Sequence, residues 1–417
     1  MKAARPYPIV TITPKGERAI VDGHPWVYEG EVVSVSGTPE DGGLVDVVSK
    51  KGSWLGCGFC NSASKIRVRL VTRNANDDPA GDAFWERRLR YAWDYRKTVM
   101  GEADSRCCRI IFGEADGFPG LTVDRFERVL VAQVLSLGME RIKERVLPLL
   151  VRILREDGQV IRGVYERNDA ALRTLEGMAQ GKGWLVLPGE AVPEGTAEDI
   201  TENGIRYTVD FENGQKTGFF LDQKYNRLAM QRICKGKRVL DCFTHMGTFA
   251  LNAGIAGASD VTGLDISEYA VQQANANAVR NHLEDTVHFR CANVLDELPK
   301  LAEAGEKYDV VILDPPAFTK SRETTKNAIK GYREINMKGL KLVKDGGYLA
   351  TCSCSHFMTQ ELLAKTVKEA AKAAHKRLRQ VEFRTQAPDH PILWANSANV
   401  PESYYLKFFI FQVVDEK

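Results

Sequence analysis

From residue 237 onward, short apolar runs alternate with longer amphipathic ones, and few folds tolerate that rhythm. The runs at 238–243, 261–266, 287–293, 308–314, 347–353, 380–385 and 405–413 read as strands. Helices fill most of the gaps, most clearly at 268–281, 328–343 and 359–378. A parallel connection needs a crossover long enough to hold a helix, so this alternation predicts a mostly parallel sheet covered on both faces. No helix separates the sixth run from the seventh, and the last strand is expected to run antiparallel. The predicted fold class is α/β, with a seven-stranded Rossmann-like sheet in the C-terminal part.

The first 190 residues lack this rhythm. Residues 1–73 carry short β-prone runs broken by Gly, Pro and Asp; Ile66-Arg-Val-Arg-Leu70 alternates as a half-buried strand does. They read as a small β-rich domain, in which Gly23-His-Pro-Trp-Val-Tyr28 either stacks on bases or, the favoured reading, buries Trp26 as an anchor. Cys57-Gly-Phe-Cys60 has no second Cys or His pair in this domain to complete a zinc set. Its thiols are expected in strand packing, and no metal is expected. A polar linker near 74–79 leads to a predicted helix at 84–99, where Arg87, Arg88, Arg90, Arg96 and Lys97 form either a solvated face or a contact with RNA phosphates. Residues 74–190 read as a small α+β domain and 191–417 as the domain of the large sheet.

Composition bounds the function. A net charge of +2 over 417 residues argues against a histone-like electrostatic binder but leaves room for a local basic face. No apolar run approaches a membrane span, and Met1-Lys-Ala-Ala-Arg-Pro6 lacks the apolar segment of a secretory signal. Nine cysteines, several inside predicted core strands, do not read as a disulfide framework, so a reducing cytoplasm is the expected location.

Three motifs carry chemistry. In an open α/β sheet, ligands bind beyond the carboxyl ends of the strands. The first strand of the sheet ends Leu240-Asp241-Cys242-Phe243, and a turn containing Gly247 opens a helix. The second strand ends at Asp265, where an acid can hold ribose hydroxyls. A dinucleotide site would prefer Gly-x-Gly-x-x-Gly, whereas this turn has one glycine. A cofactor without a pyrophosphate fits better, and S-adenosylmethionine (SAM) meets that requirement. Asp241 would face its amino-acid or sulfonium end, Asp265 its ribose and Asn293 its adenine. The fourth strand ends in Asp314-Pro-Pro-Ala-Phe318, with prolines stiffening the backbone and Phe318 able to stack a base. The fifth ends Thr351-Cys-Ser-Cys-Ser355. Pyrimidine C5 becomes nucleophilic only after a thiolate adds to C6, and a thiol at this strand end is placed for that step. Two residues apart, Cys352 and Cys354 share a face while the strand stays extended; position favours Cys354, the later one.

The assembly resembles the RlmI-type bacterial 23S ribosomal-RNA cytosine-C5 methyltransferases over nearly the whole chain. The resemblance rests on His24-Pro-Trp-Val27, Gly113-Glu-Ala-Asp-Gly-Phe-Pro-Gly120, Tyr165-Glu-Arg167, Gly214-Gln-Lys-Thr-Gly-Phe-Phe-Leu-Asp-Gln223 with Asn226-Arg227, Asp314-Pro-Pro-Ala-Phe318, Ser353-Cys-Ser355 and Asp389-His-Pro391. It implies an RNA-binding PUA domain, a central α+β domain and a class I SAM-dependent methyltransferase domain. It also puts the nucleophile on Cys354. Better-known RNA cytosine-C5 enzymes carry a second cysteine in the Asp-Pro-Pro region, where Ala317-Phe318 supply none. Thr244-His-Met246 stands before Gly247, where relatives often carry smaller residues.

The expected catalytic residues are Cys354 and Asp314. The expected cofactor set is Asp241, Phe243, Gly247, Asp265, Ile266, Asn293, Thr217, Phe219 and Gln223. Pro315, Phe318 and His390 are expected at the substrate, although a loop histidine between Asp389 and Pro391 also suits a structural role. The expected partner is 23S ribosomal RNA of the large subunit, with a homodimer as a further expectation and no membrane. Two other functions fit the motifs: methylation of an exocyclic amine such as guanine N2, and a non-catalytic RNA-binding assembly factor.

Overall fold

The seven C-terminal runs pair into one sheet in the computed structural model, which describes residues 5–319, 321, 323–395 and 400–416. The N-terminal tetrapeptide of the signal-sequence argument lies outside the described residues. The strands are β1 (Arg238–Cys242), β2 (Asp260–Asp265), β3 (Val287–Cys291), β4 (Tyr308–Leu313), β5 (Val343–Ser353), β6 (Lys376–Arg384) and β7 (Lys407–Asp415). Their order is β3-β2-β1-β4-β5-β7-β6. The first five run parallel, and β7 runs antiparallel to both of its neighbours. Strand order reverses between β1 and β4, which opens a crevice at their carboxyl ends.

The helices of this unit are α1 (Lys224–Cys234), α2 (Thr248–Ile255), α3 (Glu268–Arg280), α4 (Val294–Glu303), α5 (Thr325–Leu342) and α6 (Gln360–Ala373). Leu240, Val311, Leu313 and Leu349 are fully buried with Leu342, Leu363 and Val367, so the central strands are apolar almost throughout. One boundary departs from the periodicity. The helix expected to reach 378 stops at Ala373, because His375 takes a left-handed conformation (φ 53°) and ends it without a glycine. Lys376 and Leu378 then pair with Asp415 and Val413 at the sheet edge.

The chain divides into two units: Met1–Ile200 with Thr208–Leu221 and Pro388–Ser403, and Thr201–Tyr207 with Asp222–Ala387 and Tyr404–Lys417. The large sheet belongs to the second. The first holds a six-stranded sheet, ordered Trp26–Tyr28, Ile66–Thr72, Trp54–Cys60, Leu44–Ser49, Ile9–Ile12, Val32–Ser36. Its core is Val10, Ile12, Val27, Val45, Val47 and Val68. Val27 anchors this sheet; Trp26, expected to be buried, is half-buried and donates its indole N–H to Glu114 at 2.8 Å. Cys57 and Cys60 are buried in their strand. The five-stranded sheet beside it runs Gly181–Trp184, Gly163–Asn168, Val129–Val134, Leu121–Phe126, Cys107–Phe112. The basic helix expected at 84–99 spans Asp82–Asp104 and buries Phe84, Trp85, Leu89, Ala92, Trp93 and Met100. Among the described residues no helix is long and apolar enough to cross a membrane.

Candidate active site

Asp241 is a fully buried carboxylate at the end of an apolar strand. Its Oδ2 accepts from the Thr244 hydroxyl at 2.5 Å and from the Ala250 N–H at 3.0 Å. Its Oδ1 is buried and has no hydrogen-bond partner among the described residues. A buried polar atom without a partner costs about 1–3 kcal/mol, which is tolerated where a ligand supplies the partner. The turn that follows is strained: Phe243 (φ 65°), His245 (φ 50°) and Gly247 (φ 79°) all lie in the left-handed region. Only glycine fits at 247, since a Cβ there would come within 2.5 Å of the Phe289 ring. Asp265 holds the turn from the next strand, accepting from the His245 N–H and the Ser267 N–H, both at 2.9 Å. Each of its oxygens keeps a second lone pair. Burial pushes His245 down to about 4, so its ring is neutral at pH 7.

Asp314 lies across the switch point, its N–H donating to the Cys242 carbonyl at 3.3 Å. Its carboxylate accepts from the Cys352 thiol at 2.9 Å and from the Gln223 amide at 3.3 Å. Asn226 in turn donates to Gln223 Oε1 at 2.6 Å. Burial raises Asp314 to about 6, with Asp222 adding to the rise and Cys352, Arg227 and Gln223 opposing it. Burial raises Asp241 to about 7, with Asp314 and Asp265 adding to it. Carboxylates gathered this closely repel one another and favour a cationic ligand. SAM fits on these grounds: its sulfonium and ammonium answer the acids, its ammonium can donate to the open Asp241 Oδ1, and its ribose can donate to Asp265.

The other expected contacts divide between the two units. Phe243 is half-buried, while Ile266 is 71 % exposed. Asn293 is exposed at the end of β3, where it caps α4 by accepting from the Leu295 N–H at 3.1 Å. Pro315 is buried, and the Phe318 ring packs against Tyr332 with centroids 4.7 Å apart. Thr217, Phe219 and His390 belong to the first unit. There the Thr217 hydroxyl donates to Asp124 at 2.6 Å, Phe219 is buried, and His390 is buried against Phe112 with Nδ1 2.8 Å from Asp389.

The two thiols of β5 differ. Cys352 is fully buried and its pKa is raised by burial and by Asp314. Cys354, past the last paired residue, is partly exposed. The turn around it is pinned by Ser353 donating to the Tyr332 hydroxyl at 2.8 Å and by Ser355 donating to the Thr319 carbonyl at 2.9 Å. Lys407, opposite Ser353 on β7, is 1 % exposed. Its ammonium donates to the Ser355 carbonyl and, at 2.8 Å, to the Tyr405 carbonyl, and meets no carboxylate among the described residues. Burial pushes it down to about 8, and Cys354 opposes this. Sequence reasoning missed Lys407 and the thiol-to-carboxylate bond of Cys352. The first had a signal, a lysine opening the apolar run Phe408-Phe-Ile-Phe411, which reads as a strand border.

Comparisons with known proteins bear on the fold and the family. Residues 10–73 match the PUA-like domain family, and residues 183–397 match the S-adenosylmethionine-dependent methyltransferase family. The ribosomal RNA large subunit methyltransferase I of Shewanella denitrificans is 38 % identical over 406 residues, covering 97 % of this chain and 99 % of that protein. The protein of that name from Klebsiella pneumoniae (strain 342) is 35 % identical over 411 residues, 98 % of this chain and 99 % of that one. A SAM-dependent methyltransferase structure from Streptococcus mutans superposes with a TM-score of 0.78 at 20 % identity, over 97 % of this chain and 99 % of that one. A methyltransferase structure complexed with S-adenosylhomocysteine gives the same values. At that identity the structures establish the fold; the sequence matches establish that the chain is a SAM-dependent methyltransferase and belongs to the family of the ribosomal RNA large subunit methyltransferases I.

Proposed function

We propose that the protein methylates C5 of a cytosine in 23S ribosomal RNA of the large subunit, with Cys354 as the nucleophile. One observation carries the reading: of the two thiols closing β5, Cys352 is sealed and bonded to Asp314, while Cys354 is partly exposed beside the buried ammonium of Lys407. The names of the two relatives support ribosomal RNA as the substrate. The PUA-like domain (1–73) and the central domain (74–190) would recognise that RNA by shape.

The chain's residues then divide the work. The Lys407 ammonium, desolvated and held by two carbonyls, favours negative charge on Cys354. The Cys354 sulfur adds to C6 of the cytosine, which makes C5 enamine-like. Asp314, with a pKa near 6, can donate or accept at the polar edge of the base and stabilise charge at N3. Cys352 and Gln223 fix its orientation. Asp241 and Asp265 would hold SAM, which when bound supplies the electrophilic methyl group that C5 takes. Loss of the C5 proton to a base restores the C5–C6 double bond and expels the Cys354 sulfur. No thiol in Asp314-Pro-Pro-Ala-Phe318 assists that expulsion.

The test is transfer of labelled methyl from SAM to 23S rRNA, followed by nucleoside analysis. Wild type should yield 5-methylcytosine; Cys354→Ala should yield none while SAM binding by calorimetry persists. Retained C5 methylation in the variant would remove Cys354 from this role. Label on guanine N2 would move the chemistry to an exocyclic amine.

A further inference from the structure

We infer that the groove between helix Asp82–Asp104 and the turn at 113–120 binds a single-stranded segment of the RNA substrate, taking a phosphate on Arg88 and stacking a base on Tyr91. The inference rests on RNA being the substrate and deepens that reading by assigning it a surface. The groove has a volume of about 530 Å³, is open to solvent, and is lined by Arg88, Tyr91, Tyr95, Asp116, Gly117 and Leu393 among others.

Charge separates Arg88 from the other cations of its helix. Arg87 pairs with Asp77 at 2.7 Å, Arg90 with Glu86 and Glu156, Arg96 with Asp116 at 2.6 Å, and Lys97 with Asp157 at 3.1 Å. The acids at the groove are also matched: Asp116 is held by Arg96, and Glu114 takes Arg69 at 3.2 Å and the Trp26 indole at 2.8 Å. Arg88 meets no carboxylate among the described residues. Its guanidinium lies over the Phe84 ring at 4.4 Å and donates to the Gly117 carbonyl at 3.3 Å. A half-buried guanidinium with one carbonyl acceptor keeps donors for a phosphate, whose oxygens its fork matches.

The turn is built around that guanidinium. Gly117 sits at φ 77°, and a Cβ on it would lie 1.8 Å from Arg88 Nη1. Asp116 locks the turn by accepting the Phe112 N–H at 2.6 Å as well as Arg96. The motif at 113–120, which the methyl-transfer site does not use, thereby gains a role.

Tyr91 and Tyr95 follow Arg88 on one face of the helix at the spacing i, i+3, i+7. Tyr91 is 66 % exposed and Tyr95 37 %. The Tyr95 hydroxyl donates to the Pro388 carbonyl at 2.9 Å, which fixes that ring. Exposed aromatic rings beside a cation stack unpaired bases, and a duplex hides those faces. An acidic peptide would answer Arg88 and leave the tyrosines unexplained.

The experiment uses the full-length protein and an unstructured oligocytidylate as probe, with affinity read by fluorescence anisotropy across a salt series. Tyr91→Ala should weaken binding about tenfold, with Tyr91→Phe restoring it, since a buried stack is worth about 1–3 kcal/mol per base. Arg88→Gln should weaken binding and lower the slope of log affinity against log salt by about 0.7. Both variants should raise the KM for 23S rRNA and leave kcat and SAM affinity at wild-type values. Affinity within twofold of wild type in both variants would overturn the proposal, as would loss of oligoglutamate binding with oligocytidylate binding intact. The binding readout involves no methyl transfer, so it stands or falls separately from Cys354→Ala.

Discussion

The charged pairs of the first unit and the cradle of the second treat buried charge in opposite ways. In the first, Arg96 is fully buried, but its guanidinium is bidentate on Asp116 (2.6 and 2.7 Å) and donates to the carbonyls of Arg109 and Asp389 at 2.8 Å. Arg109 is likewise bidentate on Asp124, at 2.7 and 2.9 Å. In the second unit Asp241 and Lys407 are buried and Asp314 is half-buried, with no opposite charge in contact among the described residues, and each is pushed toward its neutral form. Matched buried ions act as scaffold, because removing either partner strands the other. Unmatched ones mark where a ligand or a reacting group brings the missing charge. The second unit has scaffold of its own: Arg227 is bidentate on Glu202 at 2.7 and 3.0 Å, both fully buried, behind the cradle.

The contrast fails first if an unmatched group proves structural. Asp314→Asn should lower methyl transfer by about 10²–10⁴-fold, the range for a residue acting in proton transfer or charge stabilisation. The melting temperature should hold or rise, since an uncompensated carboxyl is removed. A fall in thermal stability parallel to the fall in activity would place Asp314 with the scaffold. Arg96→Ala should do the reverse: about 3–5 kcal/mol less stable by urea unfolding, from the stranded Asp116, with kcat per folded molecule retained. A variant as stable as wild type would show that the matched pairs of the first unit are not what holds it.

Much of this was legible in the sequence, but unevenly. The sheet was readable because β1, β4 and β5 are apolar runs separated by helical periods, and the antiparallel β7 followed from the missing helix before it. The placement of Asp241, Asp265 and Asp314 at strand ends was readable because acids are conspicuous in apolar surroundings. The roles of Gln223 and Cys352 were not, since their bonds to Asp314 join residues 91 and 38 positions apart. Nor was the end of α6, where a histidine adopts a conformation that sequence signals reserve for glycine or asparagine. On the basic helix, the sequence offered five cations of equal standing; the partners that set Arg88 apart come from other elements.

A smaller effect comes from Asp241, whose folded pKa is raised to about 7 from an ordinary 3.8. As pH rises through the lower value the unfolded chain releases its proton while the folded chain keeps it. Stability is therefore lost between about pH 4 and pH 7 and levels off above. Asp241→Asn cannot titrate, so wild-type stability relative to this variant should fall over that window by up to about 4 kcal/mol. Urea midpoints of both proteins at pH 5 and pH 8 measure it, and a constant difference would mean that burial, with the neighbouring carboxylates, does not raise Asp241. SAM, a cation, should bind wild type more tightly as pH rises over the same interval.

The smallest expected effect tests the most specific part of the contrast. Lys407 titrates near 8 in the folded chain, below its ordinary 10.5, so its buried ammonium destabilises the fold below pH 8 and the penalty fades as pH rises toward 10.5. If that ammonium serves Cys354, Lys407→Met should move the alkylation of Cys354 to higher pH by about one unit, the scale of one nearby charge in a partly screened site. Mass mapping of iodoacetamide-labelled peptides separates Cys354 from Cys291, the exposed thiol, whose profile should not move. The variant should also gain stability at pH 7, because methionine fills the site without a charge. An unchanged Cys354 profile would leave Lys407 as a brace for the carbonyls of Ser355 and Tyr405, and the unmatched charges of the second unit would then be confined to its carboxylates.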